Sequence, residues 1–154
     1  MKISMKTDYA LRALFTLVEH HGRAPIPIRE LARRNDAPKR FMEQILLALK
    51  SRGWVDSLPG KAGGYVLAKK PEQITIGEVV RQFDGVKAPI SCVAIARHEP
   101  CSQEPVCRFR RLFLEMRNMD LKIIDRATLA EVMKGSPVTT REVLDDTFSA
   151  GGGI

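Results

Sequence analysis

Residues 28–67 read IRELARRNDAPKRFMEQILLALKSRGWVDSLPGKAGGYVL, and this stretch decides the fold. Ile28 to Arg34 predicts a short helix with Ile28, Leu31 and Ala32 facing inward. Asn35, Asp36 and Ala37 form a polar turn. Pro38 suits the first turn of a further helix, where its missing N–H costs nothing. That helix runs to Arg52 with Phe41, Ile45, Leu46 and Leu49 on its buried side. A short helix, a tight turn and a longer helix make a helix-turn-helix unit. Gly53 closes it. Trp54–Leu58 then reads as a strand, residues 59–64 as a turn and Tyr65–Leu67 as a return strand. A hairpin placed directly after a helix-turn-helix is a wing. The expected fold is therefore mainly α, a winged helix-turn-helix with a β-hairpin wing.

Upstream, residues 7–21 predict a helix, because Ala10, Ala13, Leu14, Leu17 and Val18 recur at three- and four-residue steps. Gly22 ends it, and Ala24-Pro25-Ile26-Pro27 is an extended connector, since each proline biases its predecessor away from helix. Downstream, Thr75 to Asp84 predicts a helix opened by a Thr75/Glu78 capping box and stopped by Gly85. Residues 86–105 form a loop containing Pro89, Pro100 and Pro105. Residues 106–133 predict one long helix with Phe109, Leu112, Phe113, Met116, Met119, Ile123, Ile124 and Ala127 along a stripe. A small winged domain cannot cover so long a stripe. A second copy related by two-fold symmetry is the expected cover, and a helix folded back on its own domain is the alternative. Thr139 to Phe148 predicts a last short helix. The expected partition is a winged domain over 1–85, a cysteine loop over 86–107, a long C-terminal dimerisation helix with its companion over 108–148, and a flexible tail over 149–154.

Charge is distributed unevenly. Residues 1–70 hold 14 Lys/Arg against 6 Asp/Glu, a net +8, while residues 71–154 carry a net −1. A basic excess confined to the winged half is the footprint of a module that meets a phosphate backbone; a solvated basic face is the bland alternative. Within that half, Lys39, Arg40, Glu43, Gln44 and Lys50 lie off the apolar face of the third helix. Arg40 can reach guanine or a phosphate, Gln44 can pair with adenine, and Glu43 can accept from cytosine. Lys39 and Lys50 suit phosphate contacts, which position without specifying. Lys61 sits at the small, glycine-rich wing tip. The expected partner is a double-stranded DNA operator. An RNA module would need exposed aromatic stackers, and the Phe and Tyr residues are expected in the core. No Ser/His/Asp set, phosphate loop or paired carboxylates point to an enzyme. No uncharged apolar run is long enough to span a membrane. Asp8, Arg12 and Glu19 interrupt the N-terminal apolar residues as no signal peptide would tolerate, so a cytoplasmic protein without a membrane partner is expected.

Cys92, Cys101 and Cys107 are the three cysteines, spaced Cys-x8-Cys-x5-Cys. An odd count argues against a disulfide framework, and clustering of this kind is a metal-site pattern.

The segments Thr7–Leu14 (TDYALRAL), Phe41–Leu46 (FMEQIL), Gly63–Ala68 (GGYVLA) and Ile74–Val79 (ITIGEV) together resemble the Rrf-two family of winged-helix transcriptional regulators, which includes the IscR-, NsrR- and RirA-like iron–sulfur regulators. The resemblance implies a homodimer on a partly palindromic operator, base reading by Glu43 and its neighbours, and a wing in the minor groove. Pro59 stands where IscR-like wings carry Arg, with Lys61 as the substitute cation. The resemblance further implies an iron–sulfur cluster held by Cys92, Cys101 and Cys107, and a regulator that senses iron, redox state or nitric oxide. The first cysteine spacing is longer than the five residues common in the family. Asp8 stands where NsrR-like members place a fourth ligand from the first helix of the second subunit. Arg110 replaces the histidine that IscR-like members use. Asp8 with three cysteines favours a 4Fe-4S cluster, with 2Fe-2S as the alternative. Asp8 is also an ordinary first-turn acid, and His98 is another candidate ligand. A zinc site from Cys92, His98, Cys101 and Cys107, a thiol redox switch, and a cluster-free repressor controlled by a protein partner are the rival readings.

Overall fold

The computed structural model describes residues 2–86, 88–95 and 98–144. Helix α1 (Met5–Glu19) begins two residues earlier than its apolar spacing predicts, because Ser4 caps it: the Ser4 hydroxyl accepts the Thr7 N–H at 3.3 Å. Thr7, Ala10, Ala13, Leu14 and Leu17 are its buried face. Ile26 leaves the connector as one rung of sheet. It exchanges both backbone hydrogen bonds with Tyr65, at 3.0 and 2.9 Å.

Helices α2 (Ile28–Arg34) and α3 (Lys39–Ser51) form the predicted pair. Their turn is locked from inside. Buried Asn35 donates its amide to the Leu31 carbonyl at 2.8 Å and accepts from the Thr16 hydroxyl at 3.2 Å, so the turn is tied to α1. Asp36 takes the left-handed conformation, φ 47°, which a short polar side chain tolerates better than most. Met42, Ile45, Leu46 and Leu49 of α3 are buried, and Tyr9 of α1 meets Phe41 edge to face at 6.1 Å.

Strands β1 (Val55–Leu58) and β2 (Gly64–Leu67) pair antiparallel from Val55 opposite Leu67 to Leu58 opposite Gly64. Trp54 precedes β1 rather than joining it. Its ring is buried, and its carbonyl accepts the Ala68 N–H at 2.9 Å. Gly64 is required by close approach, since a Cβ there would run into the backbone of Ile26.

Helix α4 (Ile76–Asp84) carries the predicted capping box, with Glu78 N–H to Thr75 Oγ1 at 3.1 Å and Thr75 N–H to Glu78 Oε2 at 2.9 Å. It packs on α1, whose entry is held by Ser4 N–H donating to Asp84 at 2.8 Å.

The C-terminal segment differs from expectation. The single helix expected over 106–133 is two. Helix α5 (Arg110–Arg126) ends at Ala127, which is extended. Thr128 then caps α6 (Leu129–Met133) through a second capping box with Glu131. The break lets the chain turn back. Ile76 N–H reaches the Ala127 carbonyl at 2.8 Å, and Leu129 N–H reaches the Ile74 carbonyl at 2.9 Å. Leu129 is thereby fully buried in the same cluster as Ala10, Leu14, Ile74 and Val79. The start moves as well, since residues 106–109 are not helical. In the loop, Ser91–Val93 is a 3-10 turn that buries Val93. Helix α7 spans Thr140–Leu144. The rest of the helix expected to Phe148, and the tail 149–154, lie outside the described residues.

Candidate nucleic-acid interface

Helix α3 packs on strand β1 of the hairpin. The buried positions 42, 45, 46 and 49 fix the rotation of α3, so Arg40, Gln44, Leu47 and Ser51 occupy the opposite face, with Lys39, Glu43 and Lys50 along its flank. All six side chains expected to contact DNA are thus off the core, but they are not equivalent. Arg40 is exposed close to the helix N-terminus. Lys39 lies 3.3 Å from the Glu43 carboxylate in an i, i+4 pair, so each compensates the other's charge. Gln44 is exposed and borders a groove shared with Lys6, Gln82 and Phe83. Lys50 turns to the hairpin, where it donates to the Ser57 hydroxyl and lies 3.9 Å from Asp56. That contact links the end of α3 to β1 at the surface. Lys61 is exposed at the tip, in a loop where Gly60 takes φ 102° and accepts the Gly63 N–H at 3.0 Å.

Two residues of this surface escape sequence reasoning. Lys6 lies beside Gln44, and its signal was available in Ser4, whose capping pattern carries the helix back past it. Leu47 is 65% exposed on the polar face, and only a strict 3.6-residue register separates it from Leu46 in the run ILLALK.

The cysteine loop lies against the start of α5. Cys92, Cys101 and Cys107 all border one open cavity of about 360 Å³, lined also by Glu104, Val106 and Phe109. Cys92 and Cys107 also face a second cavity of about 450 Å³ lined by His98, Arg110, Arg111 and Arg117. All three thiols are unpaired. Among the described residues, no three His, Cys, Asp or Glu side chains converge closely enough to hold one metal ion. The donor chemistry nonetheless fits a thiophilic group, because three soft sulfur donors border a single cavity beside cationic side chains.

The loop is organised by arginine. Arg110 donates to the Cys92 carbonyl at 2.9 and 3.3 Å and pairs with Glu104 at 3.1 Å. Arg117, two turns further along α5, donates to the Val93 carbonyl at 2.6 Å. Arg110, which the sequence presented only as a histidine missing, is therefore a clamp on the loop. His98 lies 3.4 Å from Glu104 and borders the cavity that Cys101 does not reach. Asp8 is far from solitary: Arg12 grips it from the next turn of α1, with contacts of 2.8 and 3.1 Å.

Helix α5 joins this loop to the winged unit. Asp125, near its end, pairs with Arg81 of α4, and the carboxylate lies so close to Gly77 that a Cβ there would meet it. The contacts then run from α4 to α1 and from α1 to α3.

Comparison with known proteins agrees with this architecture. A regulator of Rhodobacter capsulatus, described as rrf2-like and HTH-type, is 38% identical over 151 residues, covering 94% of this chain and 99% of its own. The structure of CymR, the global cysteine regulator of Bacillus subtilis, superposes with a TM-score of 0.71 at 28% identity, covering 89% of this chain and 99% of that one. The IscR structure from T. potens superposes with a TM-score of 0.68 at 25% identity, covering 87% of each chain. Residues 3–135 match the family described as Rrf2, iron-dependent transcriptional regulator. With a winged helix-turn-helix that agrees with these structures and a match across most of its length, the chain belongs to the Rrf2 family of DNA-binding transcriptional regulators.

Proposed function

We propose that this Rrf2 regulator acts as a homodimer whose operator affinity is set by an iron–sulfur cluster at the cysteine loop, so that it responds to iron, redox state or nitric oxide. The observation that carries the reading is the cavity bordered by Cys92, Cys101 and Cys107 together. Thiolates are the usual ligands of iron–sulfur clusters. The positive side chains of Arg108 and Arg110 beside the thiols complement the negative charge that such ligation concentrates there. Bound there, the cluster supplies a centre that can be oxidised, nitrosylated or lost.

The protein's own part is mechanical. Arg110 and Arg117 bind the loop's carbonyls to α5, Asp125 and Arg81 bind α5 to α4, and α4 rests on α1, against which α3 packs. A change in the loop's ligation therefore acts on the rotation of α5, and through it on the spacing of the two reading helices in the dimer. Such a signal shifts affinity only by the difference in its binding to the two arrangements. Asp8, offered from the first helix of the second copy, is the fourth ligand in this reading. It must then leave Arg12, an exposed partner whose loss costs little. At the DNA, Arg40, Glu43 and Gln44 read bases, Lys39 and Lys61 meet phosphate or the minor groove, and Lys50 meets phosphate from beside the wing.

A second reading is favoured by the separation of the three thiols and by the likeness to a cysteine regulator: the thiols themselves are oxidised, with no cluster. One experiment divides the two. The protein is purified without oxygen, its visible spectrum recorded, and iron and sulfide assayed, for wild type and Cys101→Ala. A brown protein with iron and sulfide in matching amounts, lost in Cys101→Ala together with the wild-type operator affinity, is the expected result. A colourless protein whose operator affinity responds to oxidant would move the assignment to the thiols. Zinc without sulfide would move it to a zinc site. If Cys101→Ala kept the wild-type affinity and salt dependence, the loop would have no part in regulation.

A further inference from the structure

The solvent face of α3 contains one large apolar side chain. With Met42, Ile45, Leu46 and Leu49 buried, Leu47 projects from the middle of the opposite face, 65% exposed, while its neighbour Leu46 is fully buried. Around it stand Arg40, Glu43, Gln44, Lys50 and Ser51, none of them apolar. A lone exposed leucine is ordinary on a protein surface. A leucine at the centre of the face that reads DNA is different, because that face becomes buried when the protein works.

We propose that Leu47 is a specificity-determining residue that packs on the 5-methyl group of a thymine in each operator half-site. The proposal rests on α3 being the reading helix. In the major groove the four base pairs differ mainly in donors and acceptors, and thymine alone adds an apolar group. Leu47 has no polar atom beyond its backbone to satisfy a donor or acceptor, so thymine is the base edge it complements. Helix geometry places the contact. Gln44 is three residues away, about 4.5 Å along the axis, and Arg40 is seven residues away, about 10 Å. At a base step of about 3.4 Å, the thymine falls roughly one step from the base read by Gln44 and three from the contact of Arg40. An amide that pairs with adenine beside a leucine that packs on thymine suits an A·T-containing element at that position of the half-site.

The test begins with selection of operator sequences from a random duplex library by wild-type protein and by Leu47→Ser, a change at an exposed position. Melting curves of both proteins check that the fold is kept. Each thymine of the selected operator is then replaced in turn by deoxyuridine, which deletes only the methyl group. Wild type is expected to lose about fourfold in affinity at one thymine per half-site, the size of one buried methyl. Leu47→Ser is expected to lose nothing further at that thymine and to select all four bases there. The proposal is overturned if deoxyuridine affects both proteins equally at every position, or if the variant keeps the wild-type base preference. A variant whose only change is its association state would assign Leu47 to a protein contact and overturn the proposal too. A wild-type protein that selects no sequence would remove α3 as a reading helix and this inference with it, a result distinguishable from failure at Leu47 alone.

Discussion

Glu30 illustrates how a single residue carries both local structure and a measurable pH dependence. Its carboxylate accepts from Arg33 at 2.8 and 2.9 Å and from Arg34 at 2.6 Å, and Arg34 also donates to His20 at the end of α1 at 2.7 Å. The hydrogen bonds from Arg33 first, and Arg34 second, hold the Glu30 carboxyl down from 4.5 to about 2. A carboxyl with a lowered folded-state pKa binds fewer protons folded than unfolded. Its stabilisation is therefore present above 4.5 and is lost as pH falls toward 2. The group is in solvent, so the effect is small and weakens with salt. At low salt, the stability difference between wild type and Glu30→Gln is expected to be constant near neutral pH and to shrink between 4.5 and about 2; a difference that ignores pH across that window sinks the assignment. Legibility at this scale follows chemistry. The placement of Arg40, Glu43 and Gln44 off the core was readable because polar residues on an amphipathic helix have one place to go. Leu47 was not, because an apolar residue in an apolar run is assigned to the core by default. The partners of Asp8 and Arg110 depend on rotamers and on tertiary approach, which spacing alone does not encode.

Among the elements, the helix-turn-helix and the hairpin were readable because each is closed by local signals: Pro38 and Gly53 around α3, and the glycines of the wing. The expected helix over 106–133 failed for an instructive reason. Its apolar residues do continue in helical phase past Arg126, but Thr128-x-x-Glu131 is a capping box of the kind recognised at Thr75 and Glu78. The pattern marks a new start even inside an apolar run. What the sequence lacked was the reason to stop, which is tertiary: the backbone at Ala127 and Leu129 is claimed by Ile76 and Ile74, and Leu129 by the core. The stop can be tested separately from the anchor. Thr128→Ala removes the cap of α6 and is expected to lower stability by about 1 kcal/mol. Leu129→Ala empties a fully buried site and is expected to cost about 2–5 kcal/mol. Both are read from denaturant midpoints at unchanged slope. If Thr128→Ala cost as much as Leu129→Ala, capping would not be the weaker of the two constraints, and the account of the break would need revision.

Among the described residues, one side of α5 is left open to solvent. Phe109, Leu112, Met116, Met119 and Ile123 are 44–64% exposed along α5. They succeed one another by steps of three, four, three and four, the heptad seam of a helix that packs against another helix. The remainder of α5 is already committed. Arg117 is bound to the loop, Asp125 is bound to α4, and Phe113, Leu114, Leu121 and Ile124 are partly covered by the chain itself. The predicted stripe thus divides into an inward part that fixes α5 on its own chain and an outward part that no described residue covers. Five large side chains in one exposed row exceed what a monomer ordinarily leaves in water. The proposed homodimer covers such a row by two-fold self-complementarity, and in that reading it brings two copies of α3 to a partly palindromic operator at once. Met116 stands at the centre of the seam, and Met116→Glu puts a charge there without touching the inward face. The variant is expected to sediment as a monomer while keeping a cooperative melt, since the core around Leu14 and Leu129 is untouched. Its operator affinity is expected to fall by about two orders of magnitude or more, the loss that follows when two linked contacts become one. A Met116→Glu protein that remained a dimer would place the subunit contact elsewhere. A monomer with undiminished affinity would show that one winged unit suffices, and the link from cysteine loop to helix spacing would then have no dimer to act on.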